Sequence, residues 1–147
     1  MKPKILFILH LPPPIHGAAM MGKYIQESEL INSSFDCFCI NLATAGSLSD
    51  IGHISLKKLL KYFFLLKHIS HVVREIRPEL VYITPNAGGK AFFKDFIVVQ
   101  MLKSMGCKVI AHYHNKGVSV YQSKWVYNFF YKRFFSNLKV ILLAENL

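Results

Sequence analysis

The chain is predicted to be an α/β domain in which helices enclose a mainly parallel sheet in three layers. Five short apolar runs alternate with four longer segments of helical periodicity, the pattern typical of a parallel sheet with right-handed crossovers. The first run, Ile5–Leu9, shows no polar alternation, as expected of a strand buried on both faces. Apolar residues make up 52% of the 147 residues, which is enough for a substantial core and excludes a disordered chain.

The segment that leaves the first strand combines a stiff loop with a helix start. Pro12–Pro14 end the strand, because proline has no N–H group to donate. His16 and Gly17 follow, and a helix is predicted from Gly17 to about Ser33. The N-terminal N–H groups of such a helix suit an anion, above all a phosphate. Neither G-x-G-x-x-G nor G-K-[ST] is present, so a ligand loop and an ordinary connection both remain open.

The second strand is predicted at Phe35–Ile40, followed by a long polar loop over residues 41–53. Cys37 and Cys39 lie two positions apart in that strand and therefore share one face. Cys107 is the third and last cysteine, and no C-x-x-C or Cys/His zinc spacing is present. We interpret all three as buried free thiols in a reducing compartment.

A long helix is predicted from an N-cap at Ser55 to about Ile76, and Pro78 marks its end. Its apolar residues keep a spacing of three and four, which predicts that they face the core. They are Leu56, Leu59, Leu60, Phe63, Leu66, Ile69, Val73 and Ile76. Charged residues interrupt this segment, and no stretch reaches the ~18 uncharged residues that a membrane span needs.

The remaining elements continue the alternation of strands and helices. The predicted strands are Leu80–Thr84, one that starts at Lys108–Ala111, and Lys139–Leu143; the predicted helices are Lys90–Met105, with Gly106 as C-cap, and Tyr121–Ser136.

The charge balance favours acidic partners. There are 18 Lys and Arg against 8 Asp and Glu, a net charge of +10, so phosphorylated small molecules, anionic lipids and nucleic acids are candidates. No helix-turn-helix, zinc or RNP pattern is present, and we therefore expect no nucleic acid partner. The basic, aromatic helices have two open interpretations: a solvated face backed by core aromatics, or contact with an anionic membrane surface.

Histidine, glycine and asparagine concentrate in the loops that follow the strands, whereas the opposite loops hold ordinary helix stops. Ligands of a parallel sheet bind beyond the carboxyl ends of the strands. The residues expected there are His10, His16, Gly17, Asn86, Gly88, Gly89, His112, His114, Asn115, Lys116, Gly117 and Glu145. The sequence therefore predicts the site at this edge of the sheet.

The densest part of this set is His112-Tyr-His-Asn115, where His112 and His114 share one face of a strand. Three interpretations are open. The histidines could stabilise a strand end, or they could bind a metal, although no nearby carboxylate supplies a third ligand. The third is a histidine that holds a sugar or phosphate, or assists charge development, at the bottom of a cleft.

Four segments, taken in order, carry a resemblance to a known family. They read KILFILHLPPPIHGA, YITPNAGGK, VIAHYHNKG and VILLAE. Through its whole length the chain resembles the N-terminal half of bacterial family 4 glycosyltransferases, which are retaining enzymes of the GT-B fold. The resemblance implies a Rossmann-like three-layer sandwich with a mainly parallel sheet over residues 1–147.

The resemblance also implies roles for single residues. In the family, the N-terminal domain binds mostly the acceptor, while the C-terminal domain binds the nucleotide-sugar donor and carries an E-x7-E motif. The loop that reaches the donor diphosphate corresponds to His16 and Gly17, with Ala18 where a second glycine is commoner. The family's histidine near the transferring sugar corresponds to His114. Glu145 corresponds to the glutamate of a short Ser-Glu after the fifth strand, with alanine in place of the serine.

The acceptor-binding residues expected on this basis are Asn86, Gly88, Gly89, His112, Asn115 and Lys116. The resemblance implies that no bound metal is needed, which agrees with the absence of a D-x-D pattern, and no cofactor is expected because the nucleotide-sugar is a substrate. The chain is expected to be a truncated acceptor-binding domain, without the donor domain and inactive alone.

The expected activity of the full-length protein is retaining transfer of a sugar to a glycan or lipid-linked acceptor in cell-surface polysaccharide synthesis. The expected location is the cytoplasm, with peripheral attachment to the inner face of the cell membrane. The alternative is a non-catalytic Rossmann-like module that binds an anionic ligand or a membrane surface.

Overall fold

The computed structural model describes residues 1–13, 15–42, 56–114 and 117–142. In these ranges the chain forms β1 (Lys4–Leu9), α1 (Gly17–Glu27), α2 (Glu29–Ser34), β2 (Asp36–Asn41), α3 (Leu56–Ile76), β3 (Leu80–Ile83), α4 (Gly89–Ser104), β4 (Val109–Tyr113), α5 (Gly117–Tyr121), α6 (Trp125–Phe135) and β5 (Lys139–Leu142). The strands form a parallel sheet in the order β2-β1-β3-β4-β5, flanked by helices. The predicted Rossmann-like α/β class is confirmed.

Two compact units make up the chain, Met1–Tyr82 (unit 1) and Ile83–Leu147 (unit 2). In unit 1, β1 pairs with β2 in parallel, from Lys4 opposite Asp36 to Leu9 opposite Asn41. Every residue from Ile5 to Leu9 is buried, which confirms the interpretation of the continuous apolar run. One side of β1 packs against partly buried residues of neighbouring elements, which are Leu11, Ile25, Ile31, Phe35, Cys37, Leu80 and Tyr82.

The single helix predicted from Gly17 to Ser33 is wrong, because the helix is interrupted at Ser28. Ser28 has an extended backbone, and its N–H donates to the carbonyl of Ile25 at 3.4 Å. Its hydroxyl accepts from the N–H of Ile31 at 3.4 Å. The serine therefore ends α1 and caps α2, since its side chain offers the backbone an alternative to a continuous helix.

The predicted inward stripe of α3 is only partly correct. Tyr62, Ile69 and Val73 are the buried residues of this helix. Four of the predicted inward residues are instead exposed: Leu56, Leu59, Leu60 and Phe63. The apolar residues of α3 therefore span a wider arc around the helix than the arc that is buried. The predicted N-cap Ser55 lies outside the described residues.

The interpretation of the cysteines as buried is wrong, although all three are free. Cys39 is exposed, and Cys37 and Cys107 are half-buried. Cys37 and Cys39 lie on β2, which is an edge strand and is covered by its neighbours less fully than a central strand. Desolvation by the surrounding protein raises the pKa of each of the three thiols, so they are protonated and weakly nucleophilic near neutral pH.

In unit 2, β4 pairs with β5 in parallel, from Ile110 opposite Lys139 to Tyr113 opposite Leu142. The core of this unit is aromatic. The ring of Phe92 on α4 is fully buried and lies 4.8 Å from the ring of Tyr131 and 5.7 Å from that of Phe134, both on α6. As predicted, a glycine follows the end of α4: Gly106 has φ +78°, a conformation that glycine adopts without steric cost.

The helix predicted over Tyr121–Ser136 is present as α6, but it begins only at Trp125, because Tyr121 is the last residue of α5 and a turn separates the two helices. Within the turn, the N–H of Lys124 donates to the carbonyl of Tyr121 at 3.0 Å. The other end of α6 is capped from α4. There the ammonium of Lys103 donates to the carbonyls of Phe134 at 2.6 Å and Ser136 at 2.5 Å, and a cation at a helix C-terminus is favourable.

Candidate functional site at the carboxyl ends of the strands

The loop between β3 and α4 in unit 2 is held at three successive residues. The carboxylate of Asp95 accepts from the backbone N–H of Asn86 at 2.7 Å and from its side-chain Nδ2 at 2.8 Å. The hydroxyl of Tyr131 donates to the carbonyl of Ala87. A Cβ at Gly88 would lie 2.2 Å from Cε2 of Tyr121, so only glycine lets that ring pack so closely. The loop is therefore preorganised by the fold.

Asp95 is the one buried carboxylate of the described residues, with 1% of its surface exposed. Burial raises its pKa from 3.8 to about 6, and the two hydrogen bonds from Asn86 act in the opposite direction. Sequence analysis missed this residue. The available signal was a single acidic residue on the apolar face of α4, nine positions after Asn86.

The raised pKa of Asp95 predicts a pH-dependent stability. The folded state binds the proton more tightly than the unfolded state, so the free energy of unfolding falls as the pH rises from about 4 to about 7. A shift from 3.8 to about 6 corresponds to about 3 kcal/mol. We expect Asp95→Asn to lack this pH dependence, because its amide does not titrate.

Urea unfolding of wild type and of Asp95→Asn at several pH values between about 4 and about 7 measures this pH dependence. The difference in unfolding free energy between wild type and Asp95→Asn should change by about 3 kcal/mol across the window. A difference that stays constant with pH would show that Asp95 does not titrate there.

The first turn of α4 lies open. Its N-cap is Gly88, which has no side chain to cap the helix, and the turn contains no acidic residue. Gly89 has φ +66°, and no atom lies within 4 Å of where its Cβ would be. The structure thus gives Asn86 and Gly88 a role in holding the loop. Acceptor binding by Asn86, Gly88 and Gly89 stays a prediction.

His112 and His114 lie together at the end of β4, with ring centroids 4.2 Å apart. Burial lowers the pKa of both imidazoles, and for His112 the neighbouring His114 lowers it further. Both are therefore neutral near pH 7. Asn115, Lys116 and Glu145, three other residues of the predicted site, lie outside the described residues.

The nitrogens of His114 are the most unusual polar atoms of this edge. Both Nδ1 and Nε2 are buried, and neither has a hydrogen-bond partner among the described residues. A neutral imidazole offers one donor and one acceptor, and buried polar groups are nearly always satisfied. The described residues therefore leave both hydrogen-bonding positions of His114 unsatisfied.

Two further buried hydroxyls of unit 2 were missed by sequence analysis. Thr84 directly follows β3 and is 2% exposed, while Tyr113 ends β4 and is fully buried. Within the described part of the chain, neither hydroxyl has a hydrogen-bond partner. Their positions at the carboxyl ends of strands were the only available signal. With His114, they give the ends of β3 and β4 three polar side chains that the described residues do not satisfy.

In unit 1, His16 caps α1. Its Nδ1 accepts from the N–H of Ala19 at 3.3 Å, and its ring lies 6.2 Å from that of His10. Gly17 is exposed, and no atom lies within 4 Å of where its Cβ would be. A Cβ at Gly22, in contrast, would lie 2.1 Å from the carbonyl oxygen of His10, so α1 approaches the end of β1 closely at this glycine. Capping accounts for one nitrogen of His16, and its predicted contact with a donor phosphate stays a prediction.

The described residues contain neither a metal-binding cluster nor a membrane-spanning helix. Over residues 1–13, 15–42, 56–114 and 117–142, no three His, Cys, Asp or Glu side chains lie close enough to hold a metal ion. Over the same ranges, no helix has both the length and the apolar character needed to cross a membrane.

Comparison of the chain with protein-family models, with curated proteins and with solved structures gives no match.

Proposed function

We propose that the chain is the acceptor-binding N-terminal domain of a retaining glycosyltransferase of the GT-B fold. The complete protein would transfer a sugar from a nucleotide-sugar to a glycan or lipid-linked acceptor in cell-surface polysaccharide synthesis. The Rossmann-like sheet supports this proposal at the level of the fold. The observation that carries it is the buried imidazole of His114, with both nitrogens unsatisfied by the described residues at the carboxyl end of β4.

The protonation state of His114 suits sugar transfer. Positive charge develops at the anomeric carbon of the sugar in the transition state. A neutral imidazole can hold a sugar hydroxyl by a hydrogen bond without adding a second positive charge beside that carbon. Since burial lowers the pKa of His114, the imidazole is neutral at the pH of the cell interior.

The loop after β3 would position the acceptor. Its backbone is fixed at Asn86, Ala87 and Gly88 before any ligand binds. Groups already held in place lose little conformational freedom on binding, and correct placement of two reactants is itself a large part of catalysis. The open first turn of α4 adds N–H donors that no side chain caps.

A second candidate function is a non-catalytic module that binds an anionic ligand or a membrane surface. The net charge of +10 and the exposed apolar residues of α3 favour it. The two candidates differ in whether a glycosidic bond forms.

The test is a transfer assay with the complete gene product that carries this chain. It would be incubated with isotopically labelled UDP-, GDP- and ADP-sugars and with lipid and glycan extracts, and the product would be analysed by NMR. We expect transfer of one sugar with the anomeric configuration of the donor retained. Transfer with inversion would contradict the proposal, and binding of anionic vesicles or sugar phosphates without transfer would favour the module. The 147-residue chain alone is expected to show no turnover.

A further inference from the structure

The N-terminal half of α3 in unit 1 exposes large apolar side chains. Five of its first nine residues are apolar and at least half exposed: Leu56 (74%), Leu59 (59%), Leu60 (51%), Phe63 (51%) and Phe64 (63%). The buried residues Tyr62, Ile69 and Val73 mark the side that faces the core. At about 100° per residue, Leu60 and Phe64 lie nearly opposite them on the helix. The exposed apolar residues therefore belong to a face that unit 1 leaves uncovered.

The same face carries positive charge. Lys57, Lys61 and Lys67 are exposed, and the ammonium of Lys67 lies 4.7 Å from the centroid of the Phe63 ring. The sequence contains no aspartate or glutamate between positions 56 and 74. Apolar side chains and cations are thus interleaved over residues 56–67, which we name the α3 patch.

The C-terminal half of α3 differs. There the outward residues are polar, and Nε2 of His71 lies 3.5 Å from Oε2 of Glu75, one helical turn later. This is the pattern of an ordinary solvated face. Within α3, the combination of exposed apolar and basic side chains is therefore confined to the α3 patch.

We propose that the α3 patch docks on an anionic lipid membrane surface. Leucine and phenylalanine side chains can enter the boundary of the acyl chains, while lysines keep their ammonium groups at the phosphates. At 1.5 Å per residue, the patch is about 18 Å long, which suits a helix that lies in the plane of the interface.

Charge decides between this partner and two others. A second copy of the chain would bring two sets of lysines together with no acidic residue of the patch to offset them. A nucleic acid would satisfy the lysines but would leave the leucines and phenylalanines exposed. An anionic membrane satisfies both. The inference rests on the second candidate function, which it deepens by naming the surface that binds the membrane. It is independent of the glycosyltransferase proposal, because it uses no residue of the candidate site.

The test is flotation of the 147-residue chain with lipid vesicles. We expect binding to vesicles that contain phosphatidylglycerol, weaker binding at high salt, and little binding to pure phosphatidylcholine. Equal binding to both vesicle types, or no binding to either, would overturn the proposal.

Two variants locate the binding surface. Lys57→Gln/Lys61→Gln/Lys67→Gln should weaken binding about fivefold for each lysine removed. Leu60→Gln/Phe64→Gln should also release the chain from vesicles. Both variants change exposed side chains and use glutamine, a good helix former, so the fold should be retained.

Matched controls change the same charge or the same apolar area elsewhere. Lys90→Gln/Lys108→Gln/Lys139→Gln removes three exposed lysines outside α3, and Leu30→Gln/Ile97→Gln removes two exposed apolar side chains. We expect the control variants to bind more tightly than the matching α3 variants. Equal losses in the α3 and control variants would show that net charge or general hydrophobicity drives binding. Self-association that becomes stronger in the lysine variant would assign the patch to a second copy.

Discussion

Replacing Phe92 with alanine is expected to lower the free energy of unfolding by about 3–5 kcal/mol. The side chain is fully buried. Its ring lies between 4.8 and 6.2 Å from five other aromatic rings, which are Phe93, Phe96, Tyr127, Tyr131 and Phe134. Removal of the ring leaves a cavity, and rigid aromatic neighbours on two helices cannot collapse into it.

Urea unfolding at one pH measures the Phe92 effect, and Phe129→Ala on α6 is the matched control. Phe129 is 58% exposed, so its replacement should change the free energy of unfolding by no more than about 0.5 kcal/mol. Equal effects of the two substitutions would contradict the account of the aromatic core. Because Phe92 packs against Tyr131, which holds Ala87, the Phe92 variant should also loosen the loop after β3.

The parts of the fold that follow from local chemistry could be predicted from the sequence. A continuous apolar run such as Ile5–Leu9 is characteristic of a buried strand, and that strand is fully buried. Gly106 after a helical segment predicts a left-handed cap, and its φ is +78°. The alternation of such segments predicted the parallel sheet, which needs no knowledge of distant contacts.

The errors arose where the outcome depends on competing or distant groups. The hydroxyl of Ser28 competes with the backbone of a helix, and periodicity does not show which wins. Apolar spacing shows which residues of α3 could be buried, but not how wide a face of this helix the neighbouring elements cover. For this reason the sequence predicts Leu60 in the core, although the residue is exposed.

The sequence predicts which loops form the candidate site, but not which residues support those loops. The loop residues after β3 and β4 could be named from the rule for parallel sheets. The residues that hold the loop after β3 could not be named from the sequence, because Asp95 and Tyr131 lie 9 and 44 residues away from the groups they bind. Such anchors depend on the packing of α4 and α6.

His114→Ala in the complete gene product is expected to lower kcat at least ~100-fold, as the loss of a group that assists the transition state commonly does. The substitution should leave the fold intact. Since neither nitrogen of His114 has a partner among the described residues, alanine removes no hydrogen bond there. The free energy of unfolding should therefore change little, which separates a catalytic role from a structural one.

The most direct test of the central claim is the ratio of kcat in His114→Ala to kcat in wild type, with His71→Ala as control. His71 is exposed on α3, and its replacement should leave kcat unchanged. We predict a ratio of about 0.01 or less for His114→Ala, with a circular dichroism spectrum and an unfolding midpoint like those of wild type. An unchanged kcat in a folded His114→Ala variant would remove His114 from the reaction and contradict the proposed site.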